Sequence, residues 1–445
     1  MAVKIGMVSL GCEKNRVDGE MMLAALSKKG YKLVADAAMA DVAVVNTCGF
    51  IESAKQESID EILELAKLKA EGKIKAIVVT GCLAERYQKE ILKELPEADG
   101  VVGIGGIGDI ALVIERVLAG EKTELFPDKL SLPLSGDRVQ TTPAYFSYLK
   151  VADGCDNRCT YCAIPLIRGP FRSRSVESLV EEAKTLAARG VKELNVIAQD
   201  TTRYGEDNYG KLMLPALLKE LCKIDGLCWI RLLYCYPERI TDELIDVMAR
   251  EEKIVKYMDI PLQHCDKEVL RRMNRRGDRE SLLALMQKLR ENIPGITLRT
   301  TFIVGFPGET EEQFTQLAQF NREVGFDRMG CFAYSQEEGT PAASFPHQID
   351  EDVKTSRQAL LMEEQMGLMQ KRNEEKIGRK ITVLCEGFDR YAECFFGRSA
   401  ADAPDVDPKV FFTAAGDKPR PGEFVTVEIT DTMDCDLIGE MTGRC

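Results

Sequence analysis

Cys155, Cys159 and Cys162 stand in the run CDNRCTYC, a Cys-x3-Cys-x2-Cys spacing. Fifteen cysteines scattered over 445 residues would produce that spacing by chance on the order of 0.02 times. Three thiolates on one loop can bind three irons of a cubane cluster and leave the fourth iron open to a substrate, unlike an electron-transfer cluster closed by four cysteines. Structural zinc is the other reading of such a run. Zinc normally closes with a fourth Cys or His, and the two histidines, His264 and His347, are remote in sequence.

A second set of thiols lies toward the N-terminus. Four short β-branched runs, at 3–10, 42–47, 75–81 and 100–104, alternate with amphipathic stretches, the pattern of βαβ units and a parallel sheet. Cys12 follows the first run, Cys48 the second, and Cys82 closes the third. Carboxyl ends of parallel strands converge on one edge, where ligands bind, so three cysteines distant in sequence can meet there. The alternative is that they are buried core thiols. Cys222, Cys228, Cys235, Cys265, Cys331, Cys385, Cys394, Cys435 and Cys445 have no compact ligand spacing and read as unligated.

Residues 121–144, rich in Pro and Gly, break the rhythm and read as a linker or hairpin. Six further strand candidates follow, at 145–153, 193–198, 229–234, 257–262, 298–305 and 327–334. Helical segments separate most of them, short of the eight units of a full barrel. A polar, Met-bearing helix spans 350–377, with Met362, Met366 and Met369 at the spacing of core packing. The remainder alternates apolar and polar residues between turn signals, as a small β-barrel of about five strands does. The expected fold is therefore α/β: an open parallel α/β domain over 1–122, a partial (βα)6 barrel of TIM type over 144–375, and a small β-barrel over 376–445.

The net charge of −13 has the wrong sign for a chain wrapped in nucleic acid as a whole. From residue 376 onward nine basic residues face thirteen acidic ones, a balance that repels RNA and attracts a basic protein. Ordinary globular composition excludes a disordered or fibrous protein. No apolar run has the roughly 20 residues of a membrane span, and the first residues lack the layout of a secretory signal. A cytoplasmic protein without membrane association is expected, and an odd number of cysteines argues against a disulfide framework.

With these residues in place, the cysteine run resembles the signature of the radical S-adenosylmethionine superfamily. The resemblance extends along nearly the whole chain, through SLGCEKN, NTCGF and TGC, to the methylthiotransferases. It implies that Cys155, Cys159 and Cys162 hold a 4Fe-4S cluster whose open iron chelates S-adenosylmethionine and yields a 5'-deoxyadenosyl radical. It implies further that Cys12, Cys48 and Cys82 hold a second, auxiliary 4Fe-4S cluster for the sulfur to be transferred. The C-terminal barrel would be a TRAM domain, and an electron donor would be a partner. Tyr161 occupies the position that contacts adenine in that superfamily, although a tyrosine there can equally pack. Gly305 and Glu309 of GFPGET would lie beside the bound S-adenosylmethionine, although a simple strand-to-helix turn explains the glycines as well.

RGPFRSR at 168–174, AQDTTRYG at 198–205 and WIRLLYCYP at 229–237 look like the branch that modifies the β-carbon of an aspartate in the twelfth protein of the small ribosomal subunit. Glu13 and Gly19 depart from that branch, which often has Pro and Ser there. One rival is the branch that modifies an adenosine of tRNA. Another is a non-catalytic iron-sulfur or zinc scaffold carrying a nucleic-acid-binding β-barrel. RRMNRRGDR at 271–279 reads as a solvated helix end, with nucleic-acid binding the alternative.

Overall fold

The computed structural model describes residues 2–445. The first sheet is parallel and six-stranded. Its strands are β1 (Lys4–Ser9), β2 (Lys32–Val34), β3 (Val42–Thr47), β4 (Ala76–Gly81), β5 (Gly100–Val102) and β6 (Thr123–Leu125), in the order β2-β1-β3-β4-β5-β6. Alternate residues of β3 serve two cores. Val42 and Val44 pack with Met22, Leu26 and Ile114 on one face, and Ala43 and Val45 with Ile62 and Leu65 on the other. That double burial is why the strands read as unbroken β-branched runs. β6 comes from the stretch expected to be linker: it pairs with β5 in parallel register. Three residues are too few to show a strand period.

The second sheet is parallel too. After β7 (Phe146–Lys150), a small antiparallel pair, β8 (Ala152–Asp153) and β9 (Arg172–Ser173), closes the base of a long loop. Then come β10 (Glu193–Ile197), β11 (Trp229–Leu232), β12 (Ile254–Gln263), β13 (Thr297–Val304) and β14 (Arg328–Ala333), ordered β14-β13-β12-β11-β10-β7. Leu149, Val196, Leu232, Met258 and Leu298 face the core under the helices. The alternate residues Lys150, Glu193, Arg231, Asp259 and Arg299 form a polar opposite face.

The helix Glu351–Glu374 leads to the third unit. Met369 is buried there and Met362 partly so, but Met366 is 51% exposed, so the expected methionine stripe is not continuous. The third unit is a closed barrel of β15 (Lys380–Asp389), β16 (Cys394–Ser399), β17 (Val410–Thr413), β18 (Phe424–Met433) and β19 (Asp436–Arg444).

The polar face of the second sheet is filled from both sides. Asp18, on the helix Glu13–Lys28, pairs with Lys150. The β16–β17 loop brings Asp402 to Arg328 at 2.5 Å, Asp407 to Arg299 at 3.3 Å and to the Tyr257 hydroxyl at 2.6 Å, and Ala400 O to Arg231 at 2.8 Å. Arg398 reaches Glu193 at 2.6 Å. The acidic excess of the C-terminal barrel is thus partly internal. Asp402 and Asp407 answer arginines of the middle unit, which the charge count could not reveal.

Burial alone would raise the Asp402 pKa, but the Arg328 guanidinium, with the Ser399 hydroxyl and Lys376, outweighs it and holds the carboxyl below its ordinary value. Asp402→Ala leaves Arg328 buried without its hydrogen-bonded counter-charge and with only the more distant Asp407 to answer it, at an expected cost of about 3 kcal/mol, the low end for breaking a buried pair. Urea denaturation of the purified protein checks this as a lowered midpoint.

Candidate functional site

The strand order places a switch point between β1 and β3, where successive connections leave on opposite sides of the sheet. Cys12 follows β1 as the cap residue of the helix Glu13–Lys28. Cys48 directly follows β3, and Cys82 begins the helix Cys82–Tyr87 after β4. Gly11, at φ +80, lets the Cys12 loop lie against Cys48: a Cβ there would stand 2.9 Å from the Cys48 sulfur. Asn15 ties the loops together by donating to Leu10 O at 2.9 Å and Thr47 O at 3.2 Å. Burial, reinforced by the neighbouring Cys82 and Cys12 thiols, pushes the Cys48 pKa up to about 12. Metal binding must therefore displace protons, as ligation by thiolate requires.

The second triad occupies the loop between β8 and β9. Cys155 and Cys159 are buried and Cys162 partly so. The loop is fixed at both ends. Cys155 N donates to Gly169 O at 3.0 Å, and Gly154 lies so close to Pro170 that a Cβ would sit 2.0 Å from its carbonyl oxygen. Thr160 N donates to Met273 O at 3.0 Å, and Asn274 Nδ2 to Asn157 O and Arg158 O at 3.0 Å each. Burial raises the Cys155 pKa to about 12, with the adjacent Cys159 adding to it.

The two triads adjoin. Cys82 packs with Ala163 and Ile167, immediately beyond Cys162. Arg168, 1% exposed, donates to the Cys82 sulfur at 3.4 Å, to Asp18 at 2.6 Å and to Asp153 at 2.9 Å. Past β11, the Tyr234 hydroxyl donates to Glu13 at 2.8 Å, while the Tyr236 hydroxyl stands 3.9 Å from Cys159 Sγ. On another side Glu337 receives Arg86 at 2.7 Å and Lys55 at 3.1 Å, clasping the middle unit to the first.

The donor set at each triad is sulfur only. Among the described residues no three His, Cys, Asp or Glu side chains converge on a single ion, whereas a cubane with one open iron asks for three thiolates spread over three irons. Six thiols in two partly buried, closely anchored sets of three fit that demand. All fifteen cysteines are free.

The remaining expected residues resolve variously. Tyr161 is partly buried against Phe306 and Tyr334. Gly305, at φ +70, abuts Lys354. Glu309 is 3% exposed, and its carboxylate accepts from Gly305 N and from Phe306 N at 3.1 Å, with Arg357 3.4 Å away. It holds the GFPGET turn in shape. The helix after that turn caps itself, Thr310 and Gln313 bonding reciprocally, so its amides are not turned to a ligand. In the basic run, Arg271 pairs with Glu268, Arg272 bonds Pro307 O, and Arg279 pairs with Glu323. Arg275 is buried, stacked 4.2 Å over the Tyr236 ring beside the second triad. Arg272 and Arg275 are thus engaged internally, while Arg271 and Arg276 lie exposed at the helix end. Arg275, Tyr234 and Lys14 were not legible as site residues, because nothing in their local sequence announces the contact.

Comparison with known proteins follows the same division. Residues 4–103 match an uncharacterized protein family, UPF0004, residues 149–320 the radical SAM superfamily, and residues 377–442 the TRAM domain. Over its whole length the chain is similar to proteins named ribosomal protein uS12 methylthiotransferase RimO. That of Pelotomaculum thermopropionicum is 52% identical over 442 residues, 99% of each chain. That of Lachnoclostridium phytofermentans is 51% identical over 438 residues, 98% of this chain and 99% of the other. Among solved structures, the radical S-adenosylmethionine methyltransferase TsrM from Kitasatospora setae, with cobalamin and a 4Fe-4S cluster bound, has TM-score 0.57 at 15% identity. The match covers 77% of each chain, a likeness of fold.

Proposed function

The chain belongs to the ribosomal protein uS12 methylthiotransferase family of radical SAM enzymes, and from that premise we propose that it transfers a methylthio group to the β-carbon of an aspartate in uS12, in the cytoplasm. The observation that carries this reading is the adjacency of two sulfur triads, joined through Arg168. Cys155, Cys159 and Cys162 hold one 4Fe-4S cluster, and Cys12, Cys48 and Cys82 hold a second. When bound, the first cluster and S-adenosylmethionine supply the capacity to break an unactivated C–H bond, which no general base can deprotonate.

The chain's own residues position and shield. Gly305 and Tyr161 would border S-adenosylmethionine when it is bound. Glu309 keeps the GFPGET turn closed through the Gly305 and Phe306 amides. The Arg168 guanidinium steadies the Cys82 sulfur, fixed in turn by Asp18 and Asp153. Ala163 and Ile167 pack on Cys82 and cover that side of the first triad. Electrons come from a donor protein outside this chain. Among the described residues no helix is long and apolar enough to cross a membrane.

The tRNA reading is not favoured, since the full-length relatives are named for uS12. Anaerobic reconstitution with iron and sulfide, followed by mass spectrometry of uS12 and of tRNA after turnover, tests the assignment. The expected outcome is a methylthio increment on one aspartate of uS12 and unmodified tRNA. Modified tRNA with unmodified uS12 reverses it.

A further inference from the structure

Lys14 is a buried cation with incomplete partners. It lies two residues past Cys12 in the first turn of the helix Glu13–Lys28 and is 5% exposed. Its ammonium carries three N–H donors. The contacts it makes are the face of the Tyr234 ring, 3.2 Å from the centroid, and the Glu13 carboxylate at 3.7 Å, beyond hydrogen-bond reach. Glu13 meanwhile accepts from the Tyr234 hydroxyl at 2.8 Å. A ring face compensates a buried ammonium only in part. A hydrogen-bonded counter-charge is what burial of such a group requires.

Its location says what chemistry can supply that counter-charge. Tyr234 has φ 62, an uncommon backbone conformation for a bulky side chain. It is held by Tyr234 N donating to Asp259 at 3.0 Å and by Tyr234 O accepting from Thr201 N at 3.0 Å. Strain of this kind concentrates at ligand clamps, and here it sets the ring under Lys14. Two residues on, Tyr236 reaches Cys159. The run from Tyr234 to Tyr236 therefore passes from the edge of one triad to the edge of the other, with Lys14 above its first ring. On the function proposed above, a carbon served by both triads would lie beside this run.

We infer that Lys14 receives the side-chain carboxylate of the substrate aspartate and holds its β-carbon between the triads, a role that rests on aspartate being the acceptor as proposed above. An entering carboxylate gives the ammonium its charge-assisted hydrogen bond, while the Tyr234 hydroxyl keeps Glu13 engaged. A side-chain amide in the same place brings a hydrogen bond but no charge, and a purine brings no charge either. Lys14 is thus a specificity-determining residue for an acidic acceptor.

The test uses the reconstituted holoenzyme with full-length uS12 and with uS12 whose target aspartate is replaced by Asn. Dissociation constants are measured for both ligands with wild type, Lys14→Gln and Lys14→Arg, alongside iron content and KM and kcat on uS12. Wild type binds the Asp form more tightly. In Lys14→Gln the affinity for the Asp form falls roughly thirtyfold, the low end for truncating a buried hydrogen-bonded charge pair. The Asn form changes little, so the discrimination collapses. Lys14→Arg recovers most of it, and iron content stays at the wild-type level in both variants. Undiminished discrimination in Lys14→Gln overturns the assignment. So does loss of iron with equal weakening toward both ligands in both variants, which makes Lys14 a builder of the Cys12 loop. A wild-type enzyme with both clusters assembled that neither binds nor modifies uS12 refutes the aspartate reading itself, a separate outcome.

Discussion

Replacing Cys155, Cys159 and Cys162 together by alanine is expected to abolish formation of 5'-deoxyadenosine and to lower iron from about eight to about four per chain, one cubane's worth. The loss is total rather than graded because no other side chain stands ready to take over. The loop is held by Gly169 O, Met273 O and Asn274, none of them a sulfur donor. These anchors are mostly backbone groups, so the loop keeps its path in the variant and the loss reports ligation rather than misfolding. Iron and acid-labile sulfide assays with chromatographic detection of the nucleoside check both parts. Stoichiometric zinc without sulfide in the wild-type protein would sink the assignment.

The complementary triple replacement, Cys12→Ala, Cys48→Ala and Cys82→Ala, should leave formation of 5'-deoxyadenosine intact while stopping methylthio transfer to uS12. On the function proposed above, hydrogen removal draws on the middle unit alone and sulfur on the first. Arg168 loses the Cys82 sulfur in this variant but keeps Asp18 and Asp153, so its charge remains answered and the junction stays closed. Alanine at 82 also preserves most of the contact with Ala163 and Ile167. Quantifying the nucleoside and modified uS12 in one reaction decides the matter. Transfer at the wild-type rate would show that the N-terminal thiols are not ligands of the sulfur-bearing site.

Much of this architecture is written in local pattern. The six strands of the second sheet were all legible, because each is a short, mostly apolar run with helical periodicity on at least one side. The grouping of Cys155, Cys159 and Cys162 on one loop was legible from spacing, and the places of Cys12, Cys48 and Cys82 at three strand ends from pattern; that they are cluster ligands is the proposal made above. What escaped is contact between units. Arg168 stood in a recognisable motif, but its bond to Cys82 joins residues 86 apart. Lys14 and Tyr234 are 220 positions apart, and a lysine two residues after a cysteine has no signature. In the basic run at 271–279 the exposed Arg271 and Arg276 agree with a solvated helix end, but the partners of Arg272 and Arg275 come from other parts of the chain and could not be read locally. β2 and β6 are three residues each, too short for periodicity to speak.

The polar face of the second sheet carries one more consequence. Its cations are answered by acids that arrive from the two flanking units, Asp18 from one and Asp402 and Asp407 from the other. Arg16 and Asp405, 3.6 Å apart, even join the flanking units to each other. Opening either flank exposes uncompensated charge in the middle, so the three segments should protect one another's amides from hydrogen exchange and open together rather than as separate foldons. Recombination between relatives would then tolerate crossovers poorly unless residue pairs such as Arg328 and Asp402 travelled as a set, a heritable linkage imposed by electrostatics instead of by catalysis.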